Sequence, residues 1–302
     1  MLSVAVSRRT LILHLRSFFI QTKPRVNALI VFTAMIGMLL AQPGLPGGEA
    51  FLLSSLGIAL VSGAAAACNC VLEQHIDARM ARTRGRPLPQ GQVSAAETLW
   101  LALGVGGLGL ALLWHGANGL TALLTLATFL GYAVVYTVYL KPGTPMNIVY
   151  GGAAGAMPPV LGWAAMQGSV GWQALSLFLV IFLWTPPHFW PLALERREEY
   201  ARSGLPMLPV THGIPHTCRE IRRYTLWLAV ASLLPVAAQL AGPFYLGFVL
   251  PLDLGFIRHA QVLEANYSDE QAHRTFRYSI CYLSALFAAL LADHYLGGGG
   301  GL

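Results

Sequence analysis

Asn69, Glu73 and Asp77 recur at every fourth position where an apolar stretch gives way to a basic one carrying Arg79, Arg82, Arg84 and Arg86. On a helix, residues i, i+4 and i+8 stack along one face, each about 6 Å above the last. Carboxylates fed into a membrane-depth helix are costly and point to function. Acids on one face with guanidinium groups close behind make a site for a divalent cation carrying a phosphate group. Mg²⁺ in particular takes a few carboxylates together with phosphate oxygens and retained water.

A second acidic phrase repeats the pattern. Glu195 and Glu199 are again four apart, with Glu198 beside the latter, and a Gly-Pro phrase follows each acidic run: Gly85-Arg-Pro-Leu-Pro89 and Gly204-Leu-Pro-Met-Leu-Pro209. Two such helix ends facing one another across a cavity would hold two Mg²⁺ ions bridging a diphosphate. The plain alternative for Glu195, Glu198 and Glu199 is a solvated helix end whose acids pair with Arg196 and Arg197. For Asn69, Glu73 and Asp77 the functional reading is preferred, because three polar groups on one stripe of a membrane helix face a cavity rather than lipid.

The elements that position these residues are membrane helices. Charged residues make up 11% of the chain and apolar residues 55%, against about a quarter and about a half in soluble domains, and the mean hydropathy is +0.58. Apolar stretches at 27–43, 51–72, 97–115, 118–140, 147–166, 172–194, 224–241, 243–257 and 278–296 predict nine spans of one all-α membrane domain around a central cavity. The expected organisation is a cytoplasmic lead-in (1–26), a single transmembrane domain (27–296) and a Gly-rich tail (297–302).

The 19 Lys and Arg all fall before the first span or in alternate connections. By the positive-inside rule the N-terminus and the two long acidic loops are cytoplasmic and the C-terminus lies outside. The net charge of +6 is then topology plus an anionic ligand, and no sign of nucleic-acid binding. A bacterial inner membrane fits best. A mitochondrial membrane is the lesser alternative, raised by the Arg- and Ser-containing, acid-free first 26 residues. Cys68, Cys70, Cys218 and Cys281 form no CxxC pair, so no disulfide framework is expected. Cys68 and Cys70 flank Asn69 and point off its face. Gly151, Gly152 and Gly155 read first as close helix packing, then as room for a lipid-like tail.

At these residues the chain resembles the UbiA superfamily of intramembrane aromatic prenyltransferases, and within it the haem-modifying branch. The resemblance rests on phrases spread over most of the chain. They are Thr22-Lys-Pro-Arg-Val26, the run from Asn69 through Asp77 to Pro87, Tyr136-Thr-Val-Tyr-Leu-Lys141, Asn147 to Pro159, Trp184-Thr-Pro-Pro-His-Phe189, and Glu198 to Pro209. Glu73 stands where many members carry Asp, and Glu199 where an Asp-Tyr pair is common.

The resemblance implies transfer of a farnesyl group from farnesyl diphosphate to the vinyl group of haem b, with water added, to give haem O. It implies Mg²⁺ held by Asn69, Glu73 and Asp77 and by Glu195, Glu198 and Glu199. The diphosphate would be gripped by Lys23, Arg79, Arg82, Tyr136 and Lys141. Tyr136, Tyr139 or Trp184 would face the allylic cation. The expected partners are the bilayer, the two substrates, and downstream haem A synthase or terminal-oxidase assembly.

A haem substrate would also draw attention to His188, as an iron ligand or a proton carrier during water addition. Its alternative is a histidine bonded to a carbonyl freed by Pro186 and Pro187. His75 lies off the stripe, and His212 and His216 have no assigned role. Two other functions compete. A relative acting on a quinone precursor or chlorophyllide would keep the machinery and change the acceptor. A transporter would set such groups near the midplane in broken helices, whereas here both acid clusters sit at helix ends, which favours the enzyme.

Overall fold

The computed structural model describes residues 8–81 and 83–296, with side chains from His14 onward. Arg82, the first seven residues and the 297–302 tail lie outside the described residues. Those described form helices and turns, with no strand among them. In chain order the helices are α1 (Arg8–Gln21), α2 (Pro24–Leu40), α3 (Gly48–Leu72), α4 (Gln74–Arg79), α5 (Ala95–Gly116) and α6 (Gly119–Leu130). The α6 axis continues through a π-helical segment (Gly131–Leu140) into α7 (Lys141–Gly143). Then follow α8 (Asn147–Ala156), α9 (Pro158–Gln167), α10 (Trp172–Glu195), α11 (Arg197–Ser203), α12 (Leu208–Thr211), α13 (Gly213–Ala231), α14 (Leu234–Ala237), α15 (Pro243–Ala265) and α16 (Asp269–Leu296).

All nine apolar stretches fall on helices, but nine uninterrupted spans are not what forms. Among the described residues six helices are long and apolar enough to cross a membrane, or seven if α1 and α2, bent by 52°, count as one span. The predicted fifth stretch breaks at Met157, where Pro158 starts α9. The seventh begins partway along α13, whose first half is charged, and the chain turns at Ser232. Many large apolar side chains, among them Phe32, Leu103, Leu123 and Leu254, stay exposed on the bundle, as a lipid solvent allows. The chain is a helical integral membrane protein.

Local sequence explains several element ends. Ser94 and Glu97 form a reciprocal capping box that starts α5. The N-terminus of α15 is capped from another helix: Asp293 of α16 accepts from the Gly242 and Tyr245 backbone N–H groups at 2.5 and 2.9 Å. Asp253, buried in α15, accepts from the Ser232 and Tyr282 hydroxyls, both at 2.7 Å. Pairing of this kind is what makes a carboxylate tolerable at such depth. The α2–α9 crossing needs glycine, since a Cβ at Gly37 would collide with the Pro159 carbonyl and one at Gly162 with that of Ala34.

The main apolar core joins α2, α9, α10, α15 and α16 through Ile36, Val160, Leu177, Phe256 and Tyr282. A second core holds Ile148, Trp190, Tyr200, Ile221 and Leu263. It also contains Met80, the residue that closes α4. Both acidic phrases therefore share one packing unit, a consequence invisible in either phrase alone.

Candidate active site

The stripe forms, with a joint in its middle. Glu73 is both the end of α3 and the start of α4, and backbone bonds from Glu73 N to Asn69 O (3.0 Å) and from Asp77 N to Glu73 O (2.8 Å) carry the helical spacing across it. All three side chains are buried: Asn69 is 2%, Glu73 5% and Asp77 3% exposed. His75 projects into the open, off the stripe.

Each stripe residue meets one cation, and each cation comes from a different connection. Lys23 Nζ donates to Asn69 Oδ1 at 2.5 Å, Lys141 Nζ to Glu73 Oε1 at 2.5 Å, and Arg86 to Asp77 Oδ2 at 2.5 Å. Lys23 takes a left-handed backbone conformation (φ 50°) at the bend between α1 and α2. For a non-glycine residue this costs of order 1 kcal/mol and marks a position held by its surroundings. Arg86 reaches Asp77 because the chain folds back after α4: Thr83 N bonds Met80 O, and Thr83 Oγ1 donates to Asp77 O at 3.0 Å.

Of the other expected diphosphate cations, Arg79 is exposed and has no ion-pair partner among the described residues, and Arg82 lies outside them. The resemblance implies a diphosphate role for Arg79, but two positions from Asp77 along a helix turns its side chain well away from the stripe. The loop instead brings in Arg86.

The π-helical segment supplies the facing wall. Asn69 Nδ2 donates to Thr137 Oγ1 at 3.0 Å, and Thr137 Oγ1 donates to Tyr132 O, five residues back, at 2.9 Å. In an α-helix a five-residue step rotates a side chain by about 140°. In an i→i+5 helix residues four and five apart stack instead, so Tyr132, Tyr136, Thr137 and Lys141 share one face. Tyr132 and Tyr136 stack with ring centroids 5.8 Å apart. Tyr136 is within electrostatic reach of Glu73 and of Tyr200 beside Glu199. Tyr139 is 67% exposed and points away. Thr137, Tyr132 and Arg86 are the functional candidates that the sequence motifs did not single out.

A cavity of about 310 Å³ opens beside this cluster, at the small end of the range for ligand sites. Lys23, Tyr132 and Tyr136 line its polar end, while Ile58, Phe129 and Leu161 are among its apolar walls. Gly151, Gly152 and Gly155 all line it. A Cβ at Gly151 would strike the Tyr136 ring, and one at Gly155 would meet nothing within 4 Å. Both expected glycine roles occur, close packing at the first and open space at the last.

His188 is not placed on the cavity wall. Its ring lies between Trp184 (4.1 Å) and Phe276 (4.9 Å) and its Nδ1 is 2.7 Å from Ser279 Oγ. The residues of α10 that do line the cavity are Thr185 and Phe189. His188 therefore faces α16, and its partner is a hydroxyl rather than a proline-freed carbonyl. Trp184, which donates to Ser279 O at 2.8 Å, belongs to the same packing.

The second acidic phrase is only partly gathered. Glu195 pairs with His273 at 3.2 Å. Glu198 is exposed. Glu199 is half-buried, and its buried Oε1 has no hydrogen-bond partner among the described residues. Arg197 turns to Asp269 and Tyr267 instead of these glutamates, so the simple ion-pair account of the phrase does not hold for it.

The donor set fits Mg²⁺ better than a softer metal. It offers two buried carboxylates and an amide oxygen in line, with an unsatisfied buried carboxylate oxygen at Glu199. Among the described residues no three His, Cys, Asp or Glu side chains are grouped so as to hold a metal ion by themselves. An oxygen site that leaves room for water and phosphate is the usual arrangement for this ion.

Comparison with known proteins agrees with this architecture. The UbiA prenyltransferase family model matches residues 30–281. A protein named protoheme IX farnesyltransferase from Aromatoleum aromaticum is 60% identical over 295 residues, covering 97% of each chain. A solved structure described as concerning digeranylgeranylglyceryl phosphate synthase superimposes with a TM-score of 0.80 at 18% identity, covering 93% of this chain and 98% of the other. A UbiA homologue from Archaeoglobus fulgidus bound to DMAPP and Mg²⁺ gives 0.61 at 16% identity, covering 91% and 99%. At such identities the two structures speak for the fold, while the family match and the 60% relative span nearly the whole sequence. The chain belongs to the UbiA prenyltransferase family.

Proposed function

We propose that this enzyme transfers the farnesyl group of farnesyl diphosphate to a vinyl group of haem b, with addition of water, giving haem O and diphosphate. The observation that carries the reading is the one-to-one pairing of Lys23, Lys141 and Arg86 with Asn69, Glu73 and Asp77, next to an apolar cavity whose wall Lys23 shares. The 60% identity to a protoheme IX farnesyltransferase over 97% of the chain supports haem b as the acceptor.

Asn69, Glu73 and Asp77 are assigned to one Mg²⁺, with Glu199 as the preferred donor for a second and Glu195 and Glu198 as its weaker candidates. Bound Mg²⁺ would draw charge from the departing diphosphate. The three cations now bonded to the stripe stand ready to turn to that diphosphate when its oxygens arrive. Arg86 takes the place expected of Arg79 in this set.

The allylic C–O bond breaks with its electron pair leaving on the diphosphate, and a haem vinyl carbon supplies the pair that forms the new C–C bond. Water then adds to the resulting cation and loses a proton. The stacked faces of Tyr132 and Tyr136 stabilise allylic positive charge, by on the order of 0.5–2 kcal/mol each. The apolar walls exclude water from the farnesyl cation until the vinyl carbon has attacked.

The placement proposed is a bacterial inner membrane with the N-terminus and the acidic loops cytoplasmic and the C-terminus outside, as the alternation of basic loops supports. Residues 27–296 act as one catalytic domain, with α1 as the lead-in. Its exposed Leu15 and Phe19 suit a helix lying at the interface. Haem A synthase or terminal-oxidase assembly would consume the product.

The test is acceptor choice. Purified protein with farnesyl diphosphate and Mg²⁺ is offered haem b or 4-hydroxybenzoate in turn. Diphosphate release coupled to haem b alone supports the reading, and coupling to the phenolic acid alone overturns it.

A further inference from the structure

His212 and His216 lie far along the chain from the stripe, at the junction of α12 and α13. Gly213 between them adopts φ +77°, a left-handed turn that swings the chain so that the two imidazole rings stand 5.0 Å apart, tilted by 31°. That separation suits joint ligation of one ion. With a metal–nitrogen bond of about 2.1 Å, each ring centre lies roughly 3.2 Å from the ion, and two rings at right or tetrahedral angles are then roughly 4.5–5.3 Å apart.

Hydrogen bonding also prepares one ligand atom. His212 Nδ1 is 2.8 Å from Thr211 Oγ1, and that hydroxyl can give its own proton to the Met207 or Leu208 carbonyl, at 3.3 and 3.4 Å. With the hydroxyl proton given to a carbonyl, the hydroxyl accepts from Nδ1–H, and in that tautomer His212 presents a bare Nε2. An orienting partner of this kind on the far ring nitrogen is the usual companion of a metal-binding histidine. His216 has no hydrogen-bond partner among the described residues. His212 is exposed and His216 half-buried, so an ion can reach both. Of the three arginines in the same helix, Arg219 donates to the Pro215 carbonyl at 3.4 Å, Arg222 is engaged by Glu264, and Arg223 by Glu220 and Trp227.

We propose that His212 and His216 chelate a borderline divalent transition-metal ion, of the class of Cu²⁺, Ni²⁺ or Zn²⁺, with Thr211 as the positioning residue. Two imidazoles suit such ions and not Mg²⁺. No third His, Cys, Asp or Glu joins them among the described residues, so water completes the shell and the site is exchangeable. The ion clips α12 to α13, the segment leading out of the second acidic loop. The inference does not depend on the identity of the prenyl acceptor.

Untagged full-length protein in detergent, held in excess Mg²⁺ to occupy oxygen sites, is titrated with Cu²⁺ and followed by calorimetry and electron paramagnetic resonance. The expected result is a first equivalent with hyperfine structure from two imidazole nitrogens. It should weaken at least tenfold in His212→Ala, His212→Gln and His216→Ala, and about tenfold in Thr211→Val. His75→Ala, an exposed histidine elsewhere, should leave it unchanged. A first equivalent whose affinity and spectrum are the same in all the His212 and His216 variants overturns the proposal.

Discussion

Lys141 and Glu73, 68 residues apart in sequence, meet end to end at 2.5 Å with only 17% and 7% of their side chains exposed. The contact joins the π-helical wall to the joint between α3 and α4. Taking two such charges out of water costs as much as their attraction returns, so the pair adds little net stability, but removing one partner strands the other.

This makes the pair testable by a double-mutant cycle. Lys141→Met and Glu73→Gln are each expected to lower stability by about 3 kcal/mol, with the double variant recovering most of that loss. Thermal unfolding in detergent reads the cycle. All three variants should have lost prenyl transfer, because the groups are also needed by the substrate. A stable double variant with normal turnover would contradict their placement in the site.

The loop after α4 predicts a contrast between two arginines. Arg86→Ala should raise the KM for the prenyl diphosphate at least tenfold, about 1.4 kcal/mol, and leave Asp77 without its partner. Arg79→Ala should change it less than about twofold. Steady-state kinetics with varied diphosphate at saturating acceptor separates the two. Equal effects would mean that the fold-back of residues 80–86 does not hold during turnover.

Thr137 is expected to act through Asn69. Thr137→Val removes the oxygen that accepts from Asn69 Nδ2 and should cost about 1–1.5 kcal/mol, close to tenfold in kcat/KM. Thr137→Ser, keeping the hydroxyl, should restore most of it. Failure of serine to rescue would assign the loss to packing in the π-helical turn.

His188 carries a prediction opposite to that for a cavity residue. His188→Ala removes a ring held between Trp184 and Phe276 and a bond to Ser279, and should destabilise by about 2–4 kcal/mol. The KM for farnesyl diphosphate should stay within about twofold. A thermally unaltered variant with a selective loss of haem binding would return His188 to a role with the acceptor.

Much of the site was legible because its pattern is local. Asn69, Glu73 and Asp77 needed only the helical repeat, and Lys23 and Lys141 stood in phrases of a known kind. Arg86 was passed over for Arg79 because the reversal after Met80 depends on tertiary bonds to Asp77 and Thr83. The π-helical winding of residues 131–140 leaves no mark in hydrophobic periodicity, so Thr137 and Tyr132 stayed hidden although Tyr136 did not. His188 could be singled out as unusual at that depth, yet its partner Ser279 is 91 residues away. Apolar runs mark the membrane helices, while hydropathy passes over the breaks at Met157 and Ser232, although Pro158 and Pro235 stand in the first turns of the helices that follow.

The central claim is that the buried stripe drives ionisation of farnesyl diphosphate toward a haem acceptor, and mass analysis of the product tests it most directly. Wild-type protein with haem b, farnesyl diphosphate and Mg²⁺ should yield haem b increased by one farnesyl group and one hydroxyl group, and chelation of the metal should stop it. Asp77→Asn, inserted and folded, should yield none. Full product from Asp77→Asn, or consumption of farnesyl diphosphate by the wild type without any farnesylated haem, would contradict the account.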